Sequence, residues 1–287
     1  GLLMFKITRA LAGAALSAAL LAAAGAQADV TDRTIVMATE GSFPPSNMTR
    51  PNGELYGFEI DMVNEIAKRQ NLKIELISQA WDGMIQGLID GKYDAIVDGV
   101  SITPARQEVV DFTHNYTLGG STFVVMKSSG IELPMDGESA RLDNPESIGP
   151  AIDAVAEVLA GKTVGVQQAT IQSKFLEEYL EDRGVKVRTY PNGPDVYQDL
   201  SVGRIDAGIA SLTNVSAFLE KNADKAAATG PAFGGGIMGN GSGLVVQKGD
   251  DELRDALNAG LESIVADGTL ADLSRKWFGL VVTPQQY

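Results

Sequence analysis

Several residues of this 287-residue chain have the types and settings to hold a small charged molecule, and most share one setting: they follow short, apolar, strand-like runs. Glu40, Gly41, Ser42, Phe43 and Pro44-Pro45 follow Ile35-Val36-Met37-Ala38; Trp81 and Asp82 follow a run ending at Ile77; Asp98, Gly99 and Ser101 follow Ala95-Ile96-Val97. Further on, Gln167 to Thr170 follow Val164-Gly165-Val166, Ile171 comes next, and Ser211 follows a run ending at Ala210. In open parallel sheets ligands settle beyond the carboxyl ends of the strands, so these positions would converge on one cleft.

The side chains suggest what that cleft would hold. Glu40 and Asp98 suit a cationic group. Phe43 and Trp81, each beside polar residues, would wall the cleft and stack on a flat or cationic group. Arg106 stands shortly after Thr103, which can cap a short helix opened by Pro104. A guanidinium so placed would grip a carboxylate through two parallel hydrogen bonds. Opposite it, the Ala169-Thr170 turn opens a helix whose free backbone N–H groups favour an anion. A carboxylate held from both sides is the simplest inference. The only histidine, His114, has no acid–base partner nearby in sequence and reads as structural or hinge-proximal. Cysteine is absent, which excludes thiolate metal sites and disulfides; no metal ligand, cofactor or catalytic residue is assigned.

The elements that must position these residues alternate between short β-branched runs and helical periods, the signature of βαβ units with parallel sheets. Strands are predicted at residues 35–38, 73–77 and 95–97, with helices over 59–70 and 82–90. The pattern then restarts, with strands at 163–166, 185–189 and 205–210 and helices near 171–182 and 194–202. The two halves echo each other, Gly91-Lys92-Tyr93-Asp94-Ala95 matching Gly203-Arg204-Ile205-Asp206-Ala207, each time where a helix ends at glycine and turns into a strand. The expected fold class is α/β with two lobes, each a sheet flanked by helices, joined by a two-crossing hinge near 117–121 and 230–236. Lobe 1 would comprise residues 29–118 and 232–287, where a strand at 244–246 and helices at about 251–266 and 270–278 pack back on the first half. Lobe 2 would comprise residues 119–231, with 128–150, rich in turn formers, as an irregular insertion. The glycines from Gly230 to Gly243 do not form a phosphate loop, because no lysine-serine/threonine pair follows them.

Lys6 and Arg9 precede an Ala/Leu-rich run ending at Ala26-Gln27-Ala28, so residues 1–28 read as a cleaved secretory signal. The apolar run falls short of the roughly 20 residues a membrane span needs. A net charge of −14 argues against nucleic acid or anionic lipid as partner, since either would need a basic footprint. A freely diffusing, monomeric periplasmic protein is expected.

Gly57-Phe58-Glu59-Ile60-Asp61, Trp81-Asp82-Gly83, Gly91-Lys92-Tyr93-Asp94-Ala95, Ser101-Ile102-Thr103-Pro104-Ala105-Arg106, Val109-Val110-Asp111-Phe112-Thr113, Val164-Gly165-Val166-Gln167 and Ala266-Asp267-Gly268-Thr269-Leu270 together resemble the periplasmic polar amino-acid-binding proteins of ABC importers. The resemblance covers nearly all of the chain after the signal except 128–150. It implies a two-lobed, type II periplasmic-binding-protein-like fold and a membrane permease as partner. It also implies that Arg106 holds the ligand α-carboxylate with Ser101 and the backbone N–H groups of Thr170 and Ile171. Phe43 and Trp81 would sandwich the side chain, and Glu40 would face a cationic tip.

Ser211 departs from the pattern, standing where amino-acid binders of this type carry an aspartate for the α-ammonium. With Glu40-Gly41-Ser42, Gln79-Ala80-Trp81-Asp82-Gly83, Ala210-Ser211, the insertion and Trp277-Phe278-Gly279, the chain is most similar to the octopine/nopaline-binding branch. Asp98 departs from both patterns and would serve either as ammonium partner or as partner to a second basic group. The ligand implied is α-carboxylated and basic or guanidino-bearing, an amino acid or an opine. The alternatives are a polar uncharged or modified amino acid and, from another class, a dehydratase-like enzyme with Glu40 or Asp98 as general acid.

Overall fold

The computed structural model describes residues 29–287; the predicted signal, residues 1–28, lies outside the described residues. In chain order come β1 (Thr34–Thr39), β2 (Ser42–Phe43), β3 (Asn47–Thr49), β4 (Leu55–Tyr56), α1 (Phe58–Gln70), β5 (Lys73–Ser78), α2 (Met84–Ile89), β6 (Ala95–Ile96), α3 (Pro104–Gln107), β7 (Val110–Asn115) and β8 (Ser121–Met126). They continue with β9 (Ser139–Arg141), α4 (Pro145–Leu159), β10 (Thr163–Gln167), α5 (Ile171–Tyr179), β11 (Lys186–Tyr190), α6 (Gly193–Ser201), β12 (Ala207–Ser211) and α7 (Leu212–Asn222). Last come β13 (Ala226–Gly234), β14 (Gly243–Gln247), α8 (Asp251–Ala266) and α9 (Thr269–Phe278).

Two sheets carry the fold, ordered β5-β1-β6-β14-β7 and β11-β10-β12-β8-β13-β9. Each contains a parallel trio, β1 between β5 and β6 and β10 between β11 and β12. Each trio gains an antiparallel neighbour, β14 beside β6 and β8 beside β12, which is the strand by which the chain enters that sheet after a crossing. The echoed pentapeptides explain the likeness. Gly91 and Gly203 both adopt φ 77, the left-handed conformation that stops a helix. Asp94 and Asp206 then clamp the central strand in the same way: Val36 N–H donates to Asp94 Oδ2 at 2.9 Å, and Thr163 N–H to Asp206 Oδ2 at 2.8 Å.

Helices cover both sheets. Leu253, Leu257, Leu261 and Ile264 of α8 join Phe58, Met62 and Ile66 of α1 in one buried cluster. On the second sheet, Val155 and Leu159 of α4 and Phe175 and Leu176 of α5 bury against Val164, Val166, Ile209 and Phe233. Each such side chain contributes roughly 1.5–3 kcal/mol on burial, enough in sum to fix where the strand ends point.

The chain passes between the sheets twice, at residues 116–120 and 235–242. The two segments run side by side, Tyr116 N–H donating to the Ser242 carbonyl at 2.8 Å. Two expectations need correction. The boundary between 231 and 232 falls inside β13, because a register shift between Thr229 and Phe233 carries the strand past Gly230-Pro231, and Ala232, Phe233 and Gly234 pair with Ser139, Ala140 and Arg141. Nor is 128–150 irregular throughout: residues 139–141 form β9, and Asn144-Pro145 starts a helix rather than a turn. The Asn144 side chain accepts from Glu146 N–H at 3.1 Å, and Pro145 takes the first helical position, where its missing N–H costs nothing.

Candidate functional site

The carboxyl ends of the two trios meet across a cleft enclosing about 300 Å³, and all eleven candidate residues line it. Lobe 1 supplies every charged group. Glu40 follows β1 and Asp98 follows β6, and the two touch: Glu40 N–H donates to Asp98 Oδ1 at 3.0 Å. Phe43, in the β2–β3 hairpin, lies against Gly99, whose φ is 57 and where a Cβ would come within 2.8 Å of the Phe43 ring. Glycine is required there both for the backbone and for the ring.

Arg106 is held from three directions. Its backbone N–H is capped by Thr103 Oγ1 at 3.2 Å, its Nη1 donates to the Ser101 carbonyl at 3.0 Å, and its guanidinium carbon lies 5.4 Å from the centre of the Trp81 ring. Trp81 packs with Met84 and Leu88, so it is a core residue with one face serving as a platform for the arginine. No ion pair among the described residues involves Arg106, Glu40, Glu59 or Asp98.

Lobe 2 supplies uncharged groups. Thr170 caps α5, its Oγ1 accepting from Ser173 N–H at 3.1 Å, and Thr170, Ile171 and Gln172 bring the start of that helix to the cavity. The first N–H groups of a helix have no partner within it. Ser211 caps α7 by accepting from Asn214 N–H at 3.3 Å. Four hydrogen bonds span the cleft: Gln167 Nε2 to Glu40 Oε1 at 2.6 Å, Trp81 Nε1 to the Ala169 carbonyl at 3.1 Å, Gln168 Nε2 to Asp82 Oδ2 at 2.8 Å and Asn214 Nδ2 to the Pro44 carbonyl at 2.8 Å. The lobes are therefore closed on each other.

Enclosure sets the electrostatics. Burial lifts the Glu40 carboxyl to about 6, against opposing hydrogen bonds from Gln167 and Ser42. Burial, reinforced by Glu40 and Glu59, holds Asp98 well above the usual carboxylate range. Burial also lowers Arg106 to about 10. Each of these groups would regain its preferred charge state beside an opposite charge. The cavity can thus hold a molecule with a carboxylate at one end and cationic groups at the other.

Residues outside the candidate set complete the wall. Glu59 of α1, only 1% exposed, accepts from Gly99 N–H at 2.6 Å, from Asn47 Nδ2 at 2.7 Å and from the Tyr116 hydroxyl. Its signal in the sequence is spacing: Glu59 stands with Met62, Val63 and Ile66 on one helical stripe, an acid at an apolar position. Val281 and Val282, beyond α9, also line the cavity, and no pattern in the sequence marks them. His114 lies elsewhere, its Nε2 2.9 Å from Glu262 Oε1 and its ring stacked on Tyr287.

Comparison with known proteins fits this geometry. The model of the bacterial extracellular solute-binding proteins, family 3, matches residues 35–280. The octopine-binding periplasmic protein of Rhizobium meliloti is 36% identical over 288 residues, 93% of this chain and 97% of that protein. The L-cystine-binding protein TcyJ of Escherichia coli is 34% identical over 250 residues, 87% of this chain and 84% of its own. Among solved structures, an ancestral arginine-binding protein bound to arginine has a TM-score of 0.71 at 32% identity, over 86% of this chain and 98% of its own. The matched region spans both sheets and all eleven candidate positions, and the chain belongs to the bacterial extracellular solute-binding proteins, family 3.

Proposed function

We propose that this protein is the periplasmic receptor of an ABC importer and closes two lobes over an α-carboxylated, basic or guanidino-bearing ligand, either an amino acid or an opine-like conjugate. The observation that carries this is charge matching: three carboxyl groups and one guanidinium line a single enclosed cavity with no ion pair among them. A basic amino acid is the complement. Its carboxylate meets Arg106 and the start of α5, and its cationic groups meet Asp98 and Glu40 beside the Phe43 ring. Relatives named for octopine and arginine support the assignment. Export through residues 1–28, delivery to a membrane permease and a monomeric state belong to the same proposal, as does the absence of catalysis. No helix among the described residues is long and apolar enough to cross a membrane.

Thermal-shift screening with arginine, ornithine, octopine, nopaline and neutral amino acids tests the ligand class. A true ligand at 100 times its Kd stabilises by about 2.7 kcal/mol, a rise of several degrees. Stabilisation by neutral or acidic compounds alone would refute the cationic assignment. One observation favours a second ligand, a polar uncharged or N-substituted amino acid: Ser211 is engaged in capping α7, and Asp98 Oδ2 accepts no hydrogen bond from the described residues. Asp98→Asn separates the two. Loss for every ligand assigns Asp98 to the amino group, and loss for cationic ligands alone assigns it to the side chain.

A further inference from the structure

We propose that Asp98, Asn47 and Glu59 exchange a proton for the ligand's cation: Asp98 carries the proton when no cation is bound and releases it to solvent when one arrives. The identity of the displacing cation rests on the function proposed above.

The geometry dictates where the proton sits. Both carboxyl groups are buried, Glu59 at 1% and Asp98 at 6% exposure, and both take a hydrogen bond from the one amide nitrogen of Asn47, at 2.7 and 2.9 Å. Glu59 is provided for as an anion, with Asn47 on one oxygen and Gly99 N–H and the Tyr116 hydroxyl on the other. Asp98 is provided for on one side only. Thr39, Glu40 N–H and Asn47 all point at Oδ1, and no group of the described protein donates to Oδ2.

The surroundings supply no counter-charge. Glu40 from the end of β1 and Glu59 from α1 are acids; Asn47 from β3, Thr39 from β1 and Tyr116 from the crossing are neutral; the one cation lining the cavity, Arg106 of α3, is engaged with the Ser101 carbonyl and the Trp81 face. Two buried carboxylates sharing a donor, with the carboxyl of Glu40 lining the same cavity, do not all ionise without a cation. Burial and both neighbouring acids push Asp98 upward, in keeping with this. On binding, the O–H bond at Oδ2 breaks, the proton leaves to buffer, and the carboxylate faces an ammonium or guanidinium. A neutral ligand displaces nothing, so discrimination between cationic and neutral ligands grows with pH.

Calorimetry with L-arginine in phosphate and Tris tests the exchange. The expected result is an enthalpy that depends on the buffer, a net proton release, a Kd that falls by up to tenfold per unit as pH rises, and, above the range near 6 where Glu40 titrates, loss of that dependence in Asp98→Asn. Ligand-free melting adds a readout that needs no ligand. A carboxyl raised in the folded state stabilises at low pH and loses that contribution as pH rises through its folded value. The wild type should therefore lose ground to Asp98→Asn as pH rises above the ordinary carboxylate range, and a constant difference overturns proton holding whatever arginine does. Buffer-independent binding with a constant Kd overturns the exchange and leaves the cationic ligand standing. Failure of arginine, ornithine and octopine to bind in any buffer overturns both. If Asp98→Asn does not fold, Glu59→Gln serves: with the neighbouring charge gone, proton release at pH 7 falls, and undiminished release overturns the proposal.

Discussion

Replacing Arg106 by methionine should move stability and binding in opposite directions. The guanidinium lies in a closed cavity with no carboxylate partner among the described residues, and burial lowers it from 12.5 to about 10. That depression corresponds to roughly 3 kcal/mol of unfavourable desolvation in the ligand-free protein. Partial solvent access reduces the figure, and the hydrogen bond to the Ser101 carbonyl and the contact with Trp81 offset about 1–2 kcal/mol of it. Arg106→Met should therefore gain about 1 kcal/mol when ligand-free, a rise in Tm of a few degrees. Binding loses two charge-assisted hydrogen bonds, at about 1.5–3 kcal/mol each, so Kd should weaken at least 100-fold. Melting curves without ligand and calorimetric titration with arginine measure the two effects. A variant that melts lower yet binds arginine within threefold of wild type would show that Arg106 is a structural residue, and the carboxylate assignment would fall.

Gln167→Ala removes the 2.6 Å hydrogen bond to Glu40 across the cleft; at about 1–2 kcal/mol for a bond to a carboxylate, stopped-flow traces should show dissociation roughly tenfold faster with association changed less than threefold. Glu40 is raised to about 6, so arginine binding should weaken as pH falls below 6, and Glu40→Gln should flatten that limb of a Kd–pH profile. In the ligand-free protein the sign reverses: Glu40 stabilises at low pH, and the contribution is lost as pH rises through about 6, which melting of wild type against Glu40→Gln would register. Gly99→Ala forces a Cβ to 2.8 Å from the Phe43 ring at φ 57, so chemical denaturation should show a loss of about 1–3 kcal/mol.

The parallel trios were open to reading because their chemistry is local. Val, Ile and Ala runs alternate with helical stripes, and the Gly91 and Gly203 pentapeptides mark the same helix-to-strand turn twice. Once the trios are recognised, the residues that follow their strands fall at one edge by topology alone. Other parts depend on distant contacts. β13 reads Ala-Ala-Ala-Thr-Gly-Pro-Ala-Phe-Gly, a poor strand by composition, and exists because β8 and β9 pair with it on either side. The β2–β4 hairpins are too short to show a period, so Asn47, which joins two acids, is invisible as a site residue. Within 128–150 the turn formers Asn144-Pro145 open a helix, because turns and helix starts draw on the same residue types. Trp81 shows a different limit: sequence gives its place beside the cleft, while its use as a platform for Arg106 follows from packing.

Glu40, Glu59, Asp98 and Arg106 all stand on one lobe, and the facing wall is neutral. The division separates recognition in time. On the proposed function the first lobe, on a chain of net charge −14, would attract and orient a cationic solute at the encounter. The second lobe would then act as a gauge of length and shape, bringing no charged side chain of its own to strip of water. On that reading a solute of the right sign and wrong size would be admitted and released, and only one that satisfies both tests would keep the cleft shut long enough to be delivered.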